Sequence, residues 1–172
     1  VGAHMRSRLL MMLVVVAAGS INGGVASAQE PATVLVDAQA GRAWFADDSP
    51  IRRDVLGAGM RWYVSPRVAI GHEVTLMRGP GNERDFVVTG NASFDLVPSG
   101  HGRTIVPYVI AGGGYTRMRR EVGTGLFTSS EGALTGGAGV RITSASGWYA
   151  APEFRVGWEL HSRVSVTVGW SR

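Results

Sequence analysis

Residues 148–170 contain two stretches in which apolar and polar side chains alternate strictly. In the second stretch, Val164 to Trp170, every other residue is apolar, and the residues between are serine, threonine and glycine. In the first stretch, Trp148 to Trp158, the positions between the apolar residues include Glu153 and Arg155. Successive side chains of a β-strand point to opposite faces. Each stretch therefore predicts a strand with one apolar face and one polar face.

The same alternation recurs along the chain after Gln29. No stretch there repeats apolar residues with the period of a helix, and no apolar run is long enough to cross a bilayer as a helix. The pattern therefore predicts an all-β chain of eight antiparallel strands. The eight segments are residues 33–44, 56–64, 67–77, 85–97, 105–118, 133–143, 148–158 and 164–170.

Charged residues of both signs fall on the polar face of these segments. An unpaired backbone amide is costly in hydrocarbon, so a sheet that spans a membrane has to close on itself. The interior of an eight-stranded barrel is just wide enough for side chains to fill it, and buried charges there need partners of opposite sign. We therefore predict an eight-stranded antiparallel up-and-down transmembrane β-barrel with a salt-bridge network in its lumen. The network residues are Arg61, Glu73, Asp95, Arg141, Glu153 and Arg155.

The alternative fold is a soluble, lipocalin-like binding barrel in the periplasm, whose apolar faces point inward. The pattern disfavours it, because large aromatic residues alternate with small polar ones and charges of both signs share one face. The connections also differ in length, as is typical of outer-membrane barrels. Tight or short turns are predicted at 65–66, 98–104 and 144–146, and longer loops at 45–55, 78–84 and 121–132.

Residues 1–28 are predicted to be a cleavable secretory signal peptide. A basic start, Met5 to Arg8, is followed by an apolar run over residues 9–19 and by Ala26-Ser27-Ala28 before the expected cleavage site. The run is far shorter than the ~20 apolar residues that span a bilayer, which disfavours a single-pass anchor, the alternative interpretation.

Cleavage would leave residues 29–172 as a single barrel domain, and residues 1–4 would be an N-terminal extension of the signal. All 17 basic residues of the chain are arginines, and residues 29–172 hold 15 of them against 13 acidic residues. A chain so close to neutral lacks a basic footprint, and we expect no nucleic-acid partner. The absence of cysteine excludes disulfides, and 25 glycines are typical of β-structure with tight turns.

Three short stretches, the signal and the alternation give the chain a resemblance to a known family. The stretches are residues 107–115, 136–140 and 152–158, with the sequences PYVIAGGGY, GGAGV and PEFRVGW. Over residues 32–172 the chain resembles the small outer-membrane β-barrels of OmpA/OmpX type, often called porin-like. Family members typically end on an aromatic residue that the barrel-assembly machinery recognises, whereas here Trp170 is followed by Ser171 and Arg172.

The resemblance implies a monomer in the bacterial outer membrane. Its expected partners are outer-membrane lipid, lipopolysaccharide and, during insertion, the barrel-assembly machinery. The implied function is a structural or surface-interaction role, with a lumen filled by side chains and at most a narrow pore.

Two further groups of residues are candidates for contact with the membrane. Five tryptophans are expected to form aromatic girdles at the two interfaces, with ordinary core packing as the alternative. Five arginines are candidate contacts for lipopolysaccharide phosphates, because guanidinium groups bind phosphate bidentately, with solvated loop charges as the alternative. The tryptophans are Trp44, Trp62, Trp148, Trp158 and Trp170, and the arginines are Arg52, Arg53, Arg117, Arg119 and Arg120.

No catalytic residue, metal site or cofactor is predicted. The alternative function is a lipid-modifying enzyme on the same fold, which would use a serine or histidine with an acidic partner. His161 and Ser162 lie near Glu159, but neighbours on a strand or turn point in different directions. The three histidines of residues 29–172, His72, His101 and His161, are too scattered to show the spacing of zinc ligands. The glycine clusters precede no helix, and the chain has no lysine, which excludes a Walker phosphate loop.

Overall fold

The structure is a computed structural model, and it describes residues 34–46, 51–80, 83–98, 104–122, 125–158 and 161–171. The predicted signal peptide and His101 lie outside these ranges. The described residues form eight strands. In chain order they are β1 (Val34–Phe45), β2 (Ile51–Tyr63), β3 (Val68–Arg78), β4 (Arg84–Asp95), β5 (Ile105–Val122), β6 (Gly125–Thr143), β7 (Trp148–Gly157) and β8 (His161–Ser171).

The eight strands close into one barrel. Each strand pairs antiparallel with the next, and β1 pairs antiparallel with β8 from Leu35–Ser171 to Phe45–His161. Closure gives every strand a partner strand on each side within the wall, which a sheet in hydrocarbon requires. The predicted eight-stranded up-and-down barrel is therefore confirmed. In the described part of the chain, no helix is long and apolar enough to cross a membrane.

The barrel has two ends, which we name by their connections. At the turn end, β2–β3, β4–β5 and β6–β7 are joined through residues 64–67, 96–104 and 144–147, and the β1 and β8 ends marked by Leu35 and Ser171 lie there as well. At the hairpin end the connections are 46–50, 79–83, 123–124 and 158–160.

The prediction of long loops at the hairpin end is wrong. β2 already begins at Ile51, and β5 and β6 continue to Val122 and from Gly125, with 18 and 19 residues. In a transmembrane barrel, apolar residues alternate with polar ones where the outer face of a strand meets hydrocarbon. Beyond that level the strands remain hydrogen-bonded to each other, but their sequence no longer carries the pattern.

The apolar faces point outward. Val164, Val166 and Val168 each expose 48–49 % of their surface, while Glu153 and Arg155 on the polar face are 3 % exposed. A soluble barrel would bury the valines and expose the charges. The facing predicted from the alternation is therefore confirmed, and the lipocalin-like alternative is wrong.

The ladder between β6 and β7 has one gap inside the wall. Pairing is continuous from Thr135–Gly157 to Gly139–Glu153 and resumes at Ile142–Ala150. The gap includes Pro152, which has no N–H to donate.

We expect Pro152→Ala to stabilise the barrel, because an additional backbone hydrogen bond in hydrocarbon outweighs the chain entropy that proline removes. The free energy of unfolding in lipid vesicles should rise by about 1 kcal/mol. Pro66→Ala is the control, since Pro66 lies in the exposed turn 64–67, where the change adds no hydrogen bond to a ladder. It should lower the same quantity by about 0.5 kcal/mol. A fall for both variants would contradict this account of the gap.

Candidate functional site: the charged lumen and the lipid-facing wall

The lumen near the turn end is built around Arg141 of β6. Its guanidinium donates to both carboxylate oxygens of Asp95, at 3.2 and 3.4 Å, and to the hydroxyl of Tyr63. The rings of Tyr63, Tyr108 and Tyr149 lie around it, with centroids 5.2 to 5.9 Å from its central carbon. Ring faces and a carboxylate therefore replace water around this buried cation.

Arg61 of β2 and Asp37 of β1 form a second pair at the same level. The guanidinium donates to Asp37 Oδ2 at 2.7 Å, and the Tyr149 hydroxyl donates to the same oxygen at 2.7 Å. Tyr63 donates in the same way to Asp95 at 2.6 Å. Each carboxylate thus accepts bonds from one arginine and one tyrosine. The apolar residues packed here are Leu35, Ile110 and Ala151, together with the rings of Tyr108 and Tyr149.

Two glutamates and two arginines form a network in the middle of the lumen. Glu73 of β3 accepts bonds from Arg155 at 2.8 Å and from Arg163 at 3.1 Å. Arg155 also donates to Glu153 at 2.5 Å, and Arg163 lies 3.7 Å from the same carboxylate. The Tyr108 hydroxyl donates to Glu153 at 2.8 Å and links this network to the layer below. Each charge in it therefore has two partners of opposite sign.

The lumen at the hairpin end is organised by Arg53. This side chain is fully buried, forms an ion pair with Asp85, and donates to Glu83 at 3.3 Å. It also lies 4.5 Å from the ring centre of Phe45, which stacks on His161 at 4.9 Å. Cation, carboxylates and rings fill this end of the lumen as they fill the other.

Glycines in the lumen wall make room for these long side chains. Gly71 is the ladder partner of Arg61, and Gly137 that of Arg155. A Cβ atom at these glycines would lie 2.7 Å from Arg61 Cγ and 2.8 Å from Arg155 Cγ, closer than real Cβ atoms come to other atoms. The same arrangement holds for Gly57 with Gln39, Gly59 with Asp37, Gly139 with Tyr108 and Gly169 with Tyr149.

All six residues predicted for the network are buried in the lumen. The prediction omitted four charged residues. Asp37 and Arg163 are partners of the predicted Arg61 and Glu73, and Arg53 and Asp85 form the pair at the hairpin end. Alternation counted two residues back from Ser165 reaches Arg163, so the pattern contained this signal. For Arg53 the alternation gives no signal of a lumen-facing charge, because the next inward-facing residue on β2 is the apolar Val55.

Towards the hairpin end the lumen contains a cavity of about 30 Å³, lined among others by Glu73, Thr135 and His161. By this measure a water needs roughly 10–15 Å³, so the cavity holds about two waters. In this part of the lumen the described side chains therefore leave room for water only.

No family model matches the sequence, and no curated protein matches it. Solved structures are similar in fold. The N-terminal β-barrel domain of Pseudomonas aeruginosa OprF matches with a TM-score of 0.67 at 15 % identity, over 81 % of this chain and 97 % of that domain. Neisserial surface protein A matches with a TM-score of 0.65 at 12 % identity, over 82 % and 97 %. The fold is that of a small outer-membrane β-barrel.

A third outer-membrane barrel, the outer membrane enzyme PagL, matches with a TM-score of 0.51 at 14 % identity, over 79 % of this chain and 98 % of that one. The resemblance predicted from the sequence is thus confirmed at the level of the fold. The apolar outer face and the charged, filled interior, together with this fold, indicate an integral outer-membrane protein.

The five tryptophans of the outer-membrane barrel lie at its two ends. Trp148 and Trp170 are ladder partners near the turn end, and Trp62 is paired there with the first residue of β1. Trp44 and Trp158 lie at the hairpin end, and Trp158 is 64 % exposed. This distribution has the form of two aromatic girdles.

The five arginines proposed for lipopolysaccharide separate into two groups, and two of the assignments are corrected. Arg53 is buried and paired in the lumen, so it cannot contact lipid. Arg120 lies on the lumen side of β5, with the buried Thr116 and Met118. Arg53 lies in the predicted loop 45–55, which is part of β2 from Ile51, and Arg120 lies two residues beyond the predicted end of the fifth segment, where β5 continues. The other three, Arg52, Arg117 and Arg119, are exposed on the outside of the barrel.

The two described histidines lie apart. His72 faces outward on β3, with its ring 5.8 Å from that of Trp62. His161 lies at the lumen mouth, hydrogen-bonded through Nδ1 to the Trp158 carbonyl oxygen at 2.9 Å. Its neighbour Ser162 is on the opposite face of β8, and no hydrogen bond joins the two among the described contacts. Over the same residues, no group of three side chains is placed to hold a metal ion.

Proposed function

We propose that the chain is a non-catalytic outer-membrane protein that presents the β5–β6 hairpin at the cell surface as an interaction element. The observation that carries this proposal is the free edge of β6. Residues 125–131 pair with β5, but among the described strands they have no partner on the other side, because the β6–β7 ladder ends at Thr135–Gly157.

A free strand edge presents unpaired N–H and C=O groups to another chain, and extended segments bind by adding a strand to such an edge. The hairpin also exposes the apolar ring of Phe127. Both features suit a protein partner that contributes an extended segment. The partner would approach from outside the cell if the hairpin end faces outward. The β5–β6 hairpin extends beyond the last β4–β5 pair, Arg84–Arg119, and outer-membrane barrels carry their longer excursions on the extracellular side.

The filled lumen supports a structural role for the barrel itself. Its ion pairs cross from β3 to β7 and β8, so they tie opposite walls together. We propose that this rigid cylinder anchors the hairpin as a monomer, after insertion by the barrel-assembly machinery. Its outer surface would contact outer-membrane lipid and lipopolysaccharide.

The absence of catalysis is part of the proposal. His161 is held between Phe45 and the Trp158 carbonyl, and His72 faces outward beside Trp62. Neither arrangement resembles a base activating a nucleophile, for which the two groups have to lie within hydrogen-bond reach. Hydrolysis of lipid A that disappears in His161→Ala would contradict this part of the proposal.

A hairpin of reduced length tests the surface role. Residues 120–127 are replaced by Asn-Gly, which closes a two-residue turn directly after the Arg119–Thr128 pair. We expect the barrel to remain folded, shown by faster gel migration without boiling. Adhesion of expressing cells to protein-coated surfaces should fall by more than half, because the change removes Phe127 and the end of the free edge. Replacing Phe127 alone with Ser keeps the edge and should retain part of the adhesion. Equal adhesion by the shortened and natural chains would refute the surface role.

A further inference from the structure

We infer that outward-facing arginines at the hairpin end form a binding site for the phosphate groups of a glycolipid in the outer leaflet. The arginine row consists of Arg78 of β3, Arg84 of β4, and Arg117 and Arg119 of β5, all exposed. Arg78 is the ladder partner of Arg84, and Arg84 is the ladder partner of Arg119. The inference rests on the orientation in the proposed function, with the hairpin end outside the cell.

The row is electrostatically unfavourable by itself. Directly opposed residues of neighbouring antiparallel strands have Cα atoms about 5 Å apart, and like charges there repel. Among the described residues, no carboxylate lies within ion-pair distance of the row. Asp54, the ladder partner of Arg78 on β2, forms its ion pair with Arg42 at 3.5 Å, and Glu83 forms its ion pair with Arg53 at 3.3 Å. A bound anion would remove this repulsion.

The chemistry of the row suits phosphate. Neighbouring strands lie about 4.8 Å apart, so the guanidinium groups of Arg78, Arg84 and Arg119 extend over roughly 10 Å of the wall. Guanidinium groups bind phosphate oxygens bidentately. A span of this width accommodates more than one phosphate of a single headgroup.

The level of the row identifies a lipid as the source of the phosphate. Two residues towards the barrel centre, Arg78 is followed by Leu76, Arg84 by Phe86 and Arg117 by Tyr115. Phe86 and Tyr115 expose 46 % and 48 % of their surface outward. A ligand at this boundary meets arginines with its headgroup and apolar side chains with its acyl chains, whereas free phosphate would use only the arginines.

The two ends of the wall differ in the charge of their outward-facing residues. At the turn end, the outward-facing strand residues are apolar, including Phe94, Ile105, Ile142 and Trp148. The outward cations of the described strands thus lie at one interface. Such asymmetry matches a membrane whose outer leaflet carries a phosphorylated glycolipid.

The test measures lipid binding to the purified full-length barrel by native mass spectrometry, with diphosphorylated lipid A titrated into the detergent solution. Arg84→Gln removes the central charge of the row and should weaken binding roughly tenfold, as expected for one charge-assisted contact. Arg78→Gln should act similarly. Arg67→Gln makes the same change in an exposed turn at the opposite end and should leave the affinity within about twofold.

Each variant is first shown to be folded by heat-modifiable gel migration, which is independent of lipid binding and of the surface role of the hairpin. The site is overturned if Arg84→Gln and Arg78→Gln bind lipid A as the natural chain does. It is also overturned if dephosphorylated lipid A binds equally well. Competition by inorganic phosphate at the concentration of the lipid would refute the assignment to a glycolipid.

Discussion

Gly137→Val is expected to prevent most of the chain from folding into a closed barrel. The new Cβ would be placed against the Phe154 carbonyl oxygen and 2.8 Å from Arg155 Cγ. The backbone atom cannot move without breaking the β6–β7 ladder, and Arg155 cannot move without leaving Glu73 and Glu153. Overpacking in a well-filled core costs about 1–3 kcal/mol, and loss of these ion pairs adds to it.

Gly136→Val is the matched control, one residue away on the opposite face of β6. The nearest atom to a Cβ at Gly136 is the Ile110 carbonyl oxygen at 3.9 Å, which is ordinary contact. Valine suits a strand and a lipid-facing surface, so this variant should be more stable by about 0.5–1 kcal/mol. The folded fraction is measured after refolding into lipid vesicles, as the band that migrates faster without boiling. Similar folded fractions for the two variants would show that the lumen tolerates a side chain at Gly137.

Strand propensity alone predicts that both valine substitutions stabilise the barrel. Only the face of β6 on which each residue lies distinguishes the two outcomes. That facing was predictable from the sequence. An alternation with period two specifies the strand and which residues share a face, and β6 carries it clearly from Leu134 to Ile142. In a barrel with lipid outside and charge inside, this alternation determines which side chains face outward. The fold was therefore predictable from the pattern, even though sequence identity to the similar solved structures is low.

The partners within the lumen were not predictable in the same way. Arg155 contacts Glu73 across the interior, although 82 positions separate them in the sequence. Which arginine meets which carboxylate depends on the stagger of eight strands around the barrel, and alternation does not encode stagger. The pattern also ends where the strands leave the hydrocarbon, which is why Arg53 was assigned to a loop and to lipid although it is buried beside Asp85.

Glu73→Gln is expected to be the most destabilising replacement of a charged side chain in the barrel. The change keeps the shape of the side chain but leaves Arg155 and Arg163 to share Glu153. An unbalanced charge would then be buried, since Glu153, Arg155 and Arg163 are each at most 4 % exposed. Removing one partner of a buried ion pair costs about 3–5 kcal/mol. The free energy of unfolding is measured in urea by tryptophan fluorescence, with the barrel in lipid vesicles.

Two controls show whether charge balance is the cause. Asp54→Asn breaks the exposed Arg42–Asp54 pair and should change the unfolding free energy by less than about 1 kcal/mol. Combining Glu73→Gln with Arg163→Gln restores one cation to one anion, Arg155 to Glu153, and should recover much of the loss. If the double variant is instead as unstable as the sum of the two single variants, the residues act independently, and the network has no coupling to lose. Recovery would mean that the interior is stabilised by matched charge across strands distant in sequence, while alternation alone is responsible for the wall.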